Sequence, residues 1–234
     1  MRDALIDDRH GPLPALLLAL TTLAGVVDAV SIAGLNHVFV AAQTGNFVLI
    51  GLGIAGVRGF SVAASAISLA SFLAGAIAGT RICRGSGNHR GRALRNITAF
   101  KAVLAVPATL IALLTDGHFD SGVRTVITVL LAASMGGQLA LIRYLKVPDL
   151  MTTVLTLTMT GAVTDHASGL RDVTLLRRAL ALAAFAVGVI AGGLLIRFVT
   201  VGAALALGLA IILAVLVSSH RVSHTVAPWA APRN

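Results

Sequence analysis

LPALLLALTTLAGVVDAVSIAG, residues 13–34, carries a single charged side chain, Asp28. As a helix rising 1.5 Å per residue the stretch reaches about 33 Å, enough to cross a hydrocarbon core of roughly 30 Å. Further apolar windows follow from Ser61 to Ile82, Ile97 to Leu114, Val123 to Leu141, Leu175 to Ile196 and Val199 to Val217. Six membrane spans are therefore expected. The alternation of polar and apolar residues that a transmembrane β-barrel needs is missing from these Ala-, Leu- and Gly-rich runs, so the fold class is all-α. The first window is expected to stay as a span rather than be cleaved as a signal, being too long for one and carrying Asp28.

Composition agrees. The chain of 234 residues is 57% hydrophobic and only 12% charged, with a mean hydropathy of +0.93. Soluble domains of this size are about a quarter charged. Too few polar groups remain to coat a water-facing surface, and lipid is the expected solvent. The net charge of +9 sits in short loops, where it sets topology and meets anionic headgroups, so no nucleic-acid partner is expected. The single cysteine, Cys83, excludes an internal disulfide and a cysteine-based metal cluster.

Two segments mix apolar residues with a polar centre. One runs from His37 to Gly56 around Gln43, Thr44, Gly45 and Asn46; the other runs from Pro148 to Asp165 and His166 and is rich in threonine. Both patterns suit re-entrant or broken helices. The loop from Arg81 to Lys101 carries Arg84, Arg90, Arg92 and Arg95 and is expected to be cytoplasmic. The loop with Asp116, His118 and Asp120 then falls outside, and Arg143 and Lys146 return inside. If the second polar segment dips and returns, Arg171, Arg177, Arg178 and Arg221 all stay inside. The same treatment of the first places both termini in the cytoplasm and leaves Arg58 outside. Six spans plus two re-entrant segments is the expected architecture; eight full spans is the alternative.

An internal repeat is visible as a single membrane domain with halves at 13–115 and 121–218. A shift of about 112 residues sets Gly25 on Gly137 and Thr44 on Thr156. One residue more sets Phe72–Gly79 on Phe185–Gly192. With the six-plus-two topology the halves are inverted, an arrangement common among secondary transporters. Gly75/Gly79 and Gly188/Gly192 are small residues four apart, which let helices pack closely. Ser61, Ser65, Ser68 and Ser71 are read as an extension of that seam.

Asp28 lies about two-thirds through its span, where a carboxylate costs on the order of 2.5–3.5 kcal/mol on insertion scales. It is a candidate ion or proton site; the alternatives are a cap on the following turn or a partner for Arg143 or Lys101. Gln43, Thr44, Gly45 and Asn46 supply a flexible backbone and short polar groups, suited either to a solute or to satisfying the break itself. Thr152, Thr156, Thr160 and Thr164 recur every four residues on one helix face. With Thr153 and Thr158 they are candidate solute ligands, although a threonine also satisfies itself on its own i−4 carbonyl. Gln138 is a weaker candidate for the same site. Lys101 and Pro107 read as a snorkelling side chain and a kink. No Gly-x-Ser-x-Gly, His-Glu-x-x-His or phosphate-loop pattern occurs, and no enzyme activity, cofactor or metal is expected.

AGVVDA at 24–29 together with FVAAQTGN at 39–46 resembles the YoaK family of small bacterial multi-pass membrane proteins. The resemblance covers nearly the whole chain and implies a bacterial inner membrane. The expected partners are the bilayer, an unidentified small solute or ion, and a second copy of the chain. The leading functional expectation is a small-solute or ion transporter or channel with a midplane polar site. A non-transporting scaffold or regulatory partner is the alternative, and an intramembrane enzyme the third reading.

Overall fold

Continuous apolar runs bounded by capping residues become helices in the computed structural model, which describes residues 10–35, 37–115, 119–147, 172–225 and 227–231, with the side chains of 172–175 left aside. The helices are α1 (Leu13–Gly34), α2 (Gln43–Ile54), α3 (Val62–Arg84), α4 (Arg90–Leu114), α5 (Ser121–Leu145), α6 (Asp172–Phe198) and α7 (Val201–Val222), followed by a 3₁₀ turn at Pro228–Ala230. No strand occurs among the described residues. All of these helices except α2 are long and apolar enough to cross a membrane. The protein is an all-α multi-pass membrane protein. The polar stretch expected from Pro148 to His166, with Thr152, Thr153, Thr156 and Thr158, lies outside the described residues.

Helix starts follow local chemistry. The Ser61 hydroxyl accepts from Ala64 N–H at 3.2 Å, Asp120 from Val123 at 2.7 Å and Thr200 from Ala203 at 3.1 Å, each satisfying an orphan first-turn amide. His89 does the same for α4 through Nδ1. Helices α3, α4 and α5 extend beyond their apolar windows into basic flanks. Arginine is a good helix former, and its head reaches water while its stem covers apolar surface.

Glycines set the helix pairing. A side-chain carbon at Gly75 would strike the backbone of Ala133, and one at Gly136 the Phe72 carbonyl. On α1 and α6, a carbon at Gly25 would strike the Phe185 carbonyl, and one at Gly188 the Thr22 carbonyl. Thus α3 packs on α5 as α6 packs on α1. Matching the two contacts sets Gly25 opposite Gly136 rather than Gly137, one residue from the register read in the sequence. Adjacent glycines at 136 and 137 fit the sequence pattern equally well, and close packing distinguishes them. The remaining helices follow suit: α1 also contacts α7 as α5 contacts α4, and α4 lies along α7.

Directions follow from the same contacts. Gly25 meets Gly188 and Gly192 meets Val26, so α1 and α6 are parallel, and Gly34 meets Val201 at the start of α7. Gly75 meets Ala133 and Gly79 meets Gly137 and Ala140, so α3 and α5 are parallel. Gln138 reaches Leu20, while Leu23 and Val27 share a cavity with Leu131 and Ser134, so α1 and α5 are antiparallel. Gly91 lies by Val222 and Gly202 by Ala112, which makes α4 and α7 antiparallel. Hence α1 and α3 run in opposite directions, and α2 leaves on the side where it entered. At about 18 Å it is also too short to cross. A full crossing there, as eight spans would require, is ruled out. Likewise α5 ends and α6 begins on one side.

That side is tied together. The Arg90 guanidinium donates to the Leu145 carbonyl and, at 3.2 Å, to that of Trp229. Trp229 stacks where Gly11, at φ +56°, leaves no room for a side chain. Gly11, the α3–α4 turn, the end of α5 and the C-terminal tail therefore share one face, called proximal below.

Candidate functional site

The described polar candidates other than Thr44 fall into two centres. The first is built on Asp28, which is 4% exposed. Its Oδ1 accepts from the backbone N–H of Val40 at 3.1 Å and Ala41 at 2.8 Å, and its Oδ2 from Ala42 at 3.2 Å. These amides lie just before α2, whose N-terminal dipole also favours a carboxylate. Asp28 thus tethers the segment just ahead of α2 rather than capping the turn after its own helix.

Asn46 completes the anchorage from within α2 and is fully buried. Its Oδ1 accepts from Phe39 N–H at 3.0 Å, and its Nδ2 donates at 2.7 Å to the Phe39 carbonyl and at 2.7 Å to Gln43 Oε1. Gln43 Nε2 donates at 3.0 Å to the Val40 carbonyl, and Ser68 on α3 donates at 2.7 Å to that of Phe39. The segment leading into α2 therefore has its main chain satisfied by side chains instead of by a sheet. Gly45 has the Phe39 ring where a side chain would stand. Thr44 is exposed on the opposite side of the turn. In place of a break inside a helix, QTGN forms the first turn of α2, and the break precedes it.

The second centre joins α4 and α5. Lys101 is 0% exposed and lies about 16 Å along α4 from Arg90, too deep to snorkel. Its Nζ donates to Gln138 Oε1 and contacts Met135 Sδ at 4.0 Å. Gln138 in turn donates from Nε2 to the Leu20 carbonyl at 3.0 Å. The sequence reading of Lys101 as a snorkelling residue is corrected: a tertiary partner holds the amine inside. One turn away, Ser134 Oγ is buried without a partner and lines a cavity of about 10 Å³ with Ala105, Thr109, Met135 and Leu205. That is room for about one water. Leu20 and Asp28 are about 12 Å apart along α1, so the centres sit at different depths. Asp28 and Lys101 have separate partners and form no pair. Among the described residues no group of three or more His, Cys, Asp or Glu is arranged to hold a metal ion.

A family model described as "Protein of unknown function (DUF1275)" matches residues 16–218 of this chain. The chain is 31% identical over 189 residues to the UPF0700 transmembrane protein YoaK of Bacillus subtilis (strain 168). That alignment covers 75% of this chain and 80% of the relative. No solved structure matches.

Proposed function

We propose that this chain, which belongs to the DUF1275 family of proteins of unknown function, is a small-solute or ion transporter of the bacterial inner membrane. The observation that carries the reading is Lys101, fully buried midway along a membrane helix with two neutral contacts. An amine at such depth is costly on every scale, and intramembrane cations that persist face a polar path or a bundle interior. The neighbouring cavity and the partnerless Ser134 hydroxyl give a polar step beside it.

The exchange-symmetric helix pairing supports two inverted halves rocking about a central site. In that reading Asp28, Gln43 and Asn46 hold α2 as a gate on the face opposite the tail, and Thr44 and Gly45 lie at the gate's surface. Gln138 positions the Lys101 amine. The threonines of the second half, Thr152, Thr153, Thr156 and Thr158, are proposed as further solute ligands. Arg81, Arg84, Arg92, Arg143 and Arg221 flank the proximal face, against Arg58, Arg124 and Arg197 opposite, which favours a cytoplasmic proximal face with both termini inside.

One observation favours a second reading. The Asp28 carboxylate is already occupied by three backbone donors, as a purely structural tether would be. A non-transporting scaffold, alone or as a homo-oligomer, would need no more. Proteoliposomes on a solid-supported membrane, challenged with gradients of small anions, cations and protons, separate the two. Transport predicts a current that Lys101→Met abolishes and Asp28→Asn weakens. Currents that survive both substitutions defeat these residue assignments, and no current on any gradient favours the scaffold.

A further inference from the structure

A second polar feature lies outside the bundle core and does not depend on transport. On the proximal face the tail after α7 folds back over the α3–α4 turn. His89 Nδ1 accepts from Arg92 N–H at 3.2 Å, so its Nε2 carries the proton and donates to the Thr225 carbonyl at 2.9 Å. Arg95 reaches Ser223 Oγ at 3.4 Å. Between turn and tail remains an open cleft of about 350 Å³, lined by Asn88, Arg92, Ser223, His224 and Pro228 among others.

Its electrostatics are one-sided. Among the described lining residues none is a carboxylate, and the first turn of α4 carries no acidic residue. Arg92 is exposed at that turn, where the helix dipole is positive and disfavours a cation. His224 stands edge-on to His220 at 5.0 Å. A positive helix end, the Arg92 guanidinium and the His224 imidazole meet at one hollow, and no described lining residue is negative. Basic hollows at the ends of membrane helices are suited to phospholipid head groups, and arginine matches phosphate oxygens with paired donors.

We propose that this cleft binds a phosphate group presented at the proximal membrane face, with Arg92 as its principal ligand and His224 and Asn88 as supporting donors. The phosphate comes from an anionic phospholipid or from solution. Either source would clamp the tail against α4, and the lipid would also couple the tail to the membrane surface.

Trp229, the sole tryptophan of the chain, lies in this tail between two lining residues and reports on it. Protein in uncharged micelles would be titrated with dihexanoyl phosphatidic acid, inorganic phosphate and dihexanoyl phosphatidylcholine, followed by Trp229 fluorescence and by calorimetry. Phosphatidic acid should saturate the site and phosphatidylcholine should not. Arg92→Gln should weaken binding about tenfold, the loss of one charge-assisted contact, and the opposite-face control Arg58→Gln should leave it unchanged. Phosphate saturating as tightly as the lipid identifies the solution source; phosphate silent identifies the lipid. Silence of both phosphate probes in both readouts overturns the proposal. So does an Arg92→Gln protein that binds as tightly as the parent, or phosphatidylcholine that binds as tightly as phosphatidic acid.

Discussion

The backbone N–H of Ala41 donates to the Asp28 carboxylate at 2.8 Å, across a chain separation of 13 residues. That bond, with its companions from Val40 and Ala42, fixes the start of α2 to the body of α1. Asp28→Asn keeps the size but offers one acceptor oxygen for three donors and turns an NH₂ toward one of them. The expected cost is about 1–3 kcal/mol, concentrated in the α1–α2 connection. Hydrogen exchange of the 39–42 amides checks it. Protection equal to that of the parent would show that the carboxylate does not hold the segment.

Asn46 is the next test of that anchorage. Asn46→Asp removes the donors to Phe39 and Gln43 and sets a carboxylate against two oxygens. Thermal unfolding in detergent should drop by the equivalent of about 1–3 kcal/mol. The neighbouring Thr44→Ala, on an exposed side chain, should stay within about 0.5 kcal/mol of the parent.

Glycine substitutions probe the helix pairing. Gly75→Ala sets a methyl against the Ala133 backbone, and Gly25→Ala sets one against Phe185. Each should cost about 1–3 kcal/mol by overpacking. Gly193→Ala, with nothing within 4 Å of the added carbon, should be neutral or more stable by up to about 1 kcal/mol. The ordering of unfolding midpoints reads this directly; Gly193→Ala unfolding below Gly75→Ala would contradict the α3–α5 contact.

Lys101 separates stability from function. Lys101→Met removes a buried amine while keeping an unbranched chain, and such replacements are often neutral or stabilising. The unfolding midpoint should hold or rise while transport currents vanish. Gln138→Leu instead leaves the amine without its oxygen partner and should cost about 1.5–3 kcal/mol. A loss of stability in Lys101→Met comparable with that in Gln138→Leu would mark the lysine as structural.

Much of the fold was legible in the sequence because lipid imposes a simple rule: an apolar run of sufficient length must be a helix. The Gly-xxx-Gly pairs were legible for the same reason, since close approach leaves few other residue types. Helix ends were less so, because Arg84 and Arg90 continue helices past the apolar windows. Lys101 was misread since it follows an arginine-rich loop in sequence, whereas its partner Gln138 is 37 residues away. The role of Asp28 was hidden differently. Its partners are backbone amides, which leave no side-chain signature, and only the turn of chain after Gly34 brings them within reach. Ser68 was read as helix packing and in fact also ties the Phe39 carbonyl; nothing in its spacing marked it out from Ser65.

The most direct test of the account is the sidedness of the chain. With buried Cys83 replaced by alanine, single cysteines at Arg58, Asn88, Thr200 and His224 would be exposed in intact cells to an impermeant thiol reagent. The account predicts labelling at Arg58 and Thr200 and protection at Asn88 and His224. Labelling of Asn88 would contradict the cytoplasmic proximal face, and labelling of Arg58 and Asn88 alike would contradict the crossing of α3 between them.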